Sequence, residues 1–114
     1  MSAPRRRTGV LISGRGSNMV ALAQAAQARD FPAEIGLVLS NRPDAGGLAR
    51  AAELGIPTAV VDHRAFDKDR EAFERAMDEV LRINQIELIA LAGFMRIMTP
   101  WFVRRWEGRM INIH

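Results

Sequence analysis

Asn112 and His114 stand two residues apart in MINIH, with Ile111 and Ile113 as the alternate residues. Side chains of an extended strand alternate between faces, so the amide and the imidazole would share one face roughly 7 Å apart. At that spacing both reach one reacting carbonyl. The amide can donate to a developing oxyanion, and the histidine can supply a proton or a positive charge to the same oxygen. From spacing alone, a plain strand whose polar end meets solvent is the default reading, and the catalytic one needs further support.

A second candidate is SGRGSN at 13–18. Gly14 and Gly16 form a turn, and Ser17 or Asn18 is the expected helix N-cap, so backbone N–H groups and the helix dipole converge on a spot that suits a phosphate. The plain alternative is a tight turn that needs glycine for backbone reasons alone. The segment is no Walker A loop, since no Gly-Lys-Ser/Thr follows, and it lacks the third glycine of the dinucleotide fingerprint. The second apolar run ends in Ser40 and Asn41 rather than in an acidic residue that would hold a ribose, which speaks against an NAD enzyme.

In AGFMRIM (92–98), apolar residues around Arg96 could wall a pocket for a flat heterocycle; core packing beside one solvated arginine accounts for them equally well. Arg70 has Glu74 four residues on as an ordinary helix partner. His63, beside Asp62, lacks a second ligand at metal-site spacing and reads as a loop histidine.

The elements that position these residues follow from hydrophobic runs. GVLIS (9–13), EIGLVLSN (34–41), TAVVD (58–62), ELIALAGF (87–94) and MINIH are strand candidates, continuous rather than alternating. Between them lie MVALAQAAQA (19–28), LARAAEL ending at Gly55 before Pro57, a strongly amphipathic segment with Phe73, Met77, Val80 and Leu81 at helical spacing, and a short helix at TPWFVRRW with Pro100 in its first turn. Buried strands alternating with helices predict an α/β, doubly wound, Rossmann-like and mostly parallel sheet, with ligands at the carboxyl ends of the strands. Residues 1–8 read as a flexible basic arm and 9–114 as the domain.

The 114 residues, 48% hydrophobic, suffice for one small core. Without cysteine, disulfides, thiol nucleophiles and thiolate metal sites are excluded, and a reducing cytoplasm is the expected location. No apolar run reaches membrane-spanning length. The net charge of +3 rests almost wholly on arginine, clustered at Arg5–Arg7 and at Arg104, Arg105 and Arg109. Interspersed acidic residues, and two tryptophans in apolar surroundings, favour an anionic small molecule over nucleic acid as partner.

Taken in order, VLISGRGSN, SNRPDAGG, AGFMRIM and INIH resemble the phosphoribosylglycinamide formyltransferase family, the folate-dependent GAR transformylases, from about Gly9 to His114. The resemblance implies a formyltransferase N-terminal domain that moves a formyl group from 10-formyltetrahydrofolate to the amino group of glycinamide ribonucleotide in purine biosynthesis, with no metal. It implies that Gly16, Ser17 and Asn18 hold the substrate phosphate. Arg70, Met95, Arg96, Ile97, Met98 and Asn112 would serve the folate site, and Asn112 and His114 the catalysis. Family members continue past this histidine and supply its aspartate partner from their second half, so the chain is expected to be an N-terminal portion. Methionyl-tRNA formyltransferase and formyltetrahydrofolate deformylase share the Asn-x-His strand, and a non-catalytic nucleotide-binding module is the alternative from another class. Oligomeric state is not legible.

Overall fold

The computed structural model describes residues 5–113; residues 1–4 and His114 lie outside the described residues. Five strands, β1 (Arg6–Ile12), β2 (Ala33–Ser40), β3 (Thr58–Val60), β4 (Leu88–Leu91) and β5 (Met110–Asn112), form one parallel sheet in the order β3-β2-β1-β4-β5. Four helices connect them: α1 (Ser17–Ala25), α2 (Gly46–Glu53), α3 (Arg70–Ile83) and α4 (Pro100–Arg105). The chain winds outward from β1 to β3, then returns to the other side of β1 for β4 and β5. This is the expected doubly wound α/β fold, and its topological switch point lies between the carboxyl ends of β1 and β4.

Continuous apolar runs make these strands because both faces of the sheet are covered. On one face Leu11, Leu37, Leu39 and Ile89 pack with Phe73, Met77 and Leu81 of α3 and with Phe102 and Trp106 at α4. On the other, Val10, Ile12, Val38 and Ala90 pack with Met19 of α1 and Ala51 of α2. Phe73, Met77 and Leu81 recur every four residues along α3, and burying each contributes about 1.5–3 kcal/mol before entropy is counted. The start of α3 is fixed by Asp69, whose carboxylate accepts the Ala72 N–H at 3.0 Å. No helix of the described residues is long and apolar enough to cross a membrane.

The basic arm differs from the sequence expectation. β1 begins at Arg6, so 6–8 belong to the sheet, and Thr8 is buried. Arg5 donates to the carbonyls of Ala26 and Ala33, while Arg7 donates to the Asn84 carbonyl at 2.7 Å and lies over Gly36, where a Cβ would meet its guanidinium carbon at 2.6 Å. Three successive arginines resemble a solvated tail. Arg6 is exposed, but the long apolar stems and forked donors of Arg5 and Arg7 fasten the strand to its neighbours. In the second cluster Arg104 is exposed, while Arg105 pairs with Asp78 at 3.3 Å and Arg109 lies 4.5 Å above the Trp106 ring.

Candidate functional site at the carboxyl ends of the strands

After Ile12 the chain turns through 13–16 into α1. The N-cap is Gly16, in the left-handed region at φ 75°, rather than Ser17 or Asn18, which are the first two helical residues. No side chain caps this helix, and the first intrahelical bond is from the Val20 N–H to the Gly16 carbonyl at 2.9 Å. The N–H groups of Ser17, Asn18 and Met19 therefore lack an intrahelical acceptor, the arrangement that receives an anion. The two glycines play different parts. A Cβ on Gly16 would stand 2.8 Å from the Gly47 Cα, whereas a Cβ on Gly14 would meet nothing within 4 Å. Packing and conformation demand glycine at 16; at 14 they do not.

Gly47 was not singled out from sequence, yet it completes the turn. It is buried at the start of α2, its N–H donates to the Gly14 carbonyl at 2.9 Å, and a Cβ there would strike Ile12 Cδ1 at 2.6 Å. The two adjacent glycines of SNRPDAGG were the signal: Gly46 opens the helix and Gly47 lets it touch the turn.

Across the switch point, Phe94 and Met98 pack on the core while Met95 and Ile97 are 79% and 77% exposed. The segment 94–98 therefore has two apolar anchors below and two apolar side chains facing outward, with Arg96 half-buried between them. Glu74 anchors the segment's far end. It is buried, and its carboxylate accepts the Thr99 N–H at 2.6 Å as well as the Thr99 hydroxyl. Glu74 is therefore committed to Thr99, which removes it as an ordinary helix partner for Arg70. Arg70 is exposed at the first residue of α3, one helical turn from Glu74, so Arg70 and Met95–Met98 share one rim of the sheet.

On the far edge, Asn112 pairs with Leu91, and Leu91 with Leu11. Two strand spacings, about 10 Å, separate its backbone from β1. Met110 packs with the α3 and α4 core and Ile113 with the opposite one, so Asn112, two residues from Met110, shares the α3 face and is exposed. His114 lies outside the described residues.

His63 is not the isolated loop residue its sequence neighbours suggested. It opens a 3-10 turn, His63–Phe66, where its Nδ1 lies 3.1 Å from the Asn41 side-chain nitrogen and its ring meets Phe73 edge-on. The adjacent Asp62 accepts from the Arg64 side chain at 2.8 and 3.0 Å and from its N–H at 3.0 Å, and these bonds hold its carboxyl down at about 2. Among the described residues no group of three or more acidic or histidine side chains could hold a metal. A cavity of about 280 Å³ lies at the amino ends of β1, β4 and β5, against Leu22 of α1, and none of the candidate residues lines it.

Fold and site thus define a doubly wound α/β protein with an uncapped helix terminus on one side of its switch point and an apolar, arginine-flanked rim on the other. Residues 6–114 match the formyl transferase family model, and the chain belongs to that family. It is 48% identical over 116 aligned positions, covering 100% of this chain and 8% of the relative, to the trifunctional purine biosynthetic protein adenosine-3 of Drosophila pseudoobscura pseudoobscura. To the phosphoribosylglycinamide formyltransferase of Haemophilus influenzae it is 40% identical, over 96% of this chain and 51% of that protein. The crystal structure of phosphoribosylglycinamide formyltransferase from Brucella melitensis superposes with a TM-score of 0.91 at 46% identity, over 97% of this chain and 57% of that one. The chain spans about half the length of the single-function relative and a small part of the trifunctional one.

Proposed function

We propose that this chain carries the phosphate-binding and formyl-transfer half of an enzyme that moves a formyl group from 10-formyltetrahydrofolate to the amino group of glycinamide ribonucleotide in purine biosynthesis. The observation that carries the reading is the pairing across the switch point. The uncapped start of α1, pressed against Gly47, faces a segment with Met95 and Ile97 outermost and Arg70 nearby. The first side suits a phosphomonoester, which the free N–H groups of Ser17, Asn18 and Met19 would receive. The second suits a flat, partly apolar heterocycle on a tail with acidic groups, for which Arg70 and Arg96 are cationic partners. Relatives named for this reaction support it, and the cysteine-free sequence suits a reducing cytoplasm.

In this reading the substrate amine attacks the formyl carbon. A carbon–nitrogen bond forms, and negative charge gathers on the formyl oxygen. Asn112 donates to that oxygen, and His114 stabilises it or supplies a proton as a proton passes from the attacking amine to the departing folate nitrogen, whose bond to the formyl carbon breaks. Formyl transfer by the full-length gene product, assayed in parallel with glycinamide ribonucleotide and with initiator methionyl-tRNA, tests the choice of substrate. Turnover with the ribonucleotide alone is expected. Turnover only with tRNA, or only hydrolysis of the formyl folate, would replace the reading with one of its relatives.

A further inference from the structure

The last ladder bond between β1 and β4 runs from the Ala92 N–H to the Leu11 carbonyl at 3.0 Å; beyond it the two strands diverge around the switch point. Among the described residues one hydrogen bond crosses that gap: the Met95 N–H donates to the Ser13 hydroxyl at 2.8 Å. Ser13 belongs to the phosphate side, immediately before Gly14, and is buried; Met95 belongs to the exposed segment opposite.

The Ser13 hydroxyl is not a free rotor. It donates its one proton to the Asn41 side-chain oxygen at 2.6 Å, which leaves its lone pairs directed at Met95. With its oxygen committed, the fully buried Asn41 has its NH2 toward His63, whose Nδ1 lies 3.1 Å from that nitrogen and 3.1 Å from the Asn41 backbone carbonyl oxygen. The His63 ring packs edge-on against Phe73 of the core, 6.4 Å between centroids. Residues at the carboxyl ends of β1, β2 and β3 thus fix the direction of one acceptor, and that acceptor holds the backbone of the segment after β4.

We propose that Ser13, oriented by Asn41 and His63, is a positioning residue that sets the height of Met95–Ile97 for the folate from the opposite side of the crevice. The assignment of ligands to the two sides rests on the function proposed above; the hydrogen bond does not. Although Ser13 adjoins the phosphate turn in sequence, its loss is felt on the folate side.

Two measurements on the full-length gene product test this. In amide hydrogen exchange, Met95 is expected to exchange slowly for so exposed a residue, roughly tenfold faster in Ser13→Ala, and slowly again in Ser13→Thr, which restores the hydroxyl. In steady-state kinetics, Ser13→Ala is expected to raise KM for 10-formyltetrahydrofolate roughly tenfold while KM for glycinamide ribonucleotide stays within about twofold. Unchanged Met95 exchange in Ser13→Ala would overturn the positioning role. A raised ribonucleotide KM with an unmoved folate KM would overturn the assignment to the folate side. A wild-type protein without formyl transfer would instead refute the function proposed above, and the exchange rates would still decide the bond.

Discussion

Glycine can be required in a turn by the fold or by a ligand; in the 13–18 segment Gly16 answers to the fold, and the proposed function assigns the open space at Gly14 to the substrate phosphate. Gly16→Ala forces a side chain into the left-handed region, at about 1–2 kcal/mol, and drives a methyl to 2.8 Å from the Gly47 Cα, where the neighbour is backbone and yields little. Overpacking of that kind costs about 1–3 kcal/mol, so the variant should lose about 2–5 kcal/mol. With a urea dependence of about 2 kcal/mol/M, the unfolding midpoint falls by about 1–2.5 M. Gly14→Ala meets nothing within 4 Å and needs no unusual φ, so its stability should be unchanged or raised by about 0.4–1 kcal/mol through a stiffer unfolded chain. The methyl would occupy the space in front of the turn, and KM for the phosphate substrate should rise roughly tenfold, equal to about 1.4 kcal/mol of binding. The assays are equilibrium urea unfolding followed by far-UV circular dichroism, and steady-state kinetics, each on both variants. A Gly14→Ala protein that is destabilised by more than about 1 kcal/mol with KM unmoved would overturn this division of roles between the two glycines, as would a Gly16→Ala protein of normal stability.

Glu74→Ala should destabilise the protein by about 1–3 kcal/mol, since it leaves the Thr99 N–H and hydroxyl without their acceptor at the start of α4; thermal or urea unfolding reads the loss, and a neutral result would show that water replaces the carboxylate. Asp62, with its carboxyl held at about 2 by Arg64 against an ordinary 3.8, should titrate near 2 by carbon NMR and return toward 3.8 in Arg64→Ala. Because the folded value is the lower one, the bonds to Arg64 add stability that is fully present above about pH 4 and is lost as pH falls toward 2.

The strand order was not stated by the sequence, but its ingredients were: buried apolar runs, helices between them and glycine at the first turn sufficed for the doubly wound class. Strand ends shifted by a few residues because hydrogen bonding, not hydropathy, ends a ladder; TAVVD shortens to Thr58–Val60 and ELIALAGF to Leu88–Leu91. Arg5–Arg7 misled because charge reads as solvent exposure unless the carbonyls that receive the guanidinium groups are known, and Ala26, Ala33 and Asn84 lie far along the chain. The roles of Gly47, Glu74 and Asn41 were missed for the same reason. Each acts through a partner more than 20 residues away, to Gly14, Thr99 and Ser13 respectively, and no local spacing encodes those contacts. The face that Asn112 shares was legible because strand alternation is local.

In the proposed function the Asn112 amide meets charge that exists only while the formyl group is in transit. Steady-state kinetics of Asn112→Ala in the full-length gene product, with 10-formyltetrahydrofolate and glycinamide ribonucleotide, test it directly. The expected outcome is a kcat lower by about 10²–10³ with KM for the ribonucleotide within about twofold. A kcat near that of the unsubstituted enzyme would contradict it.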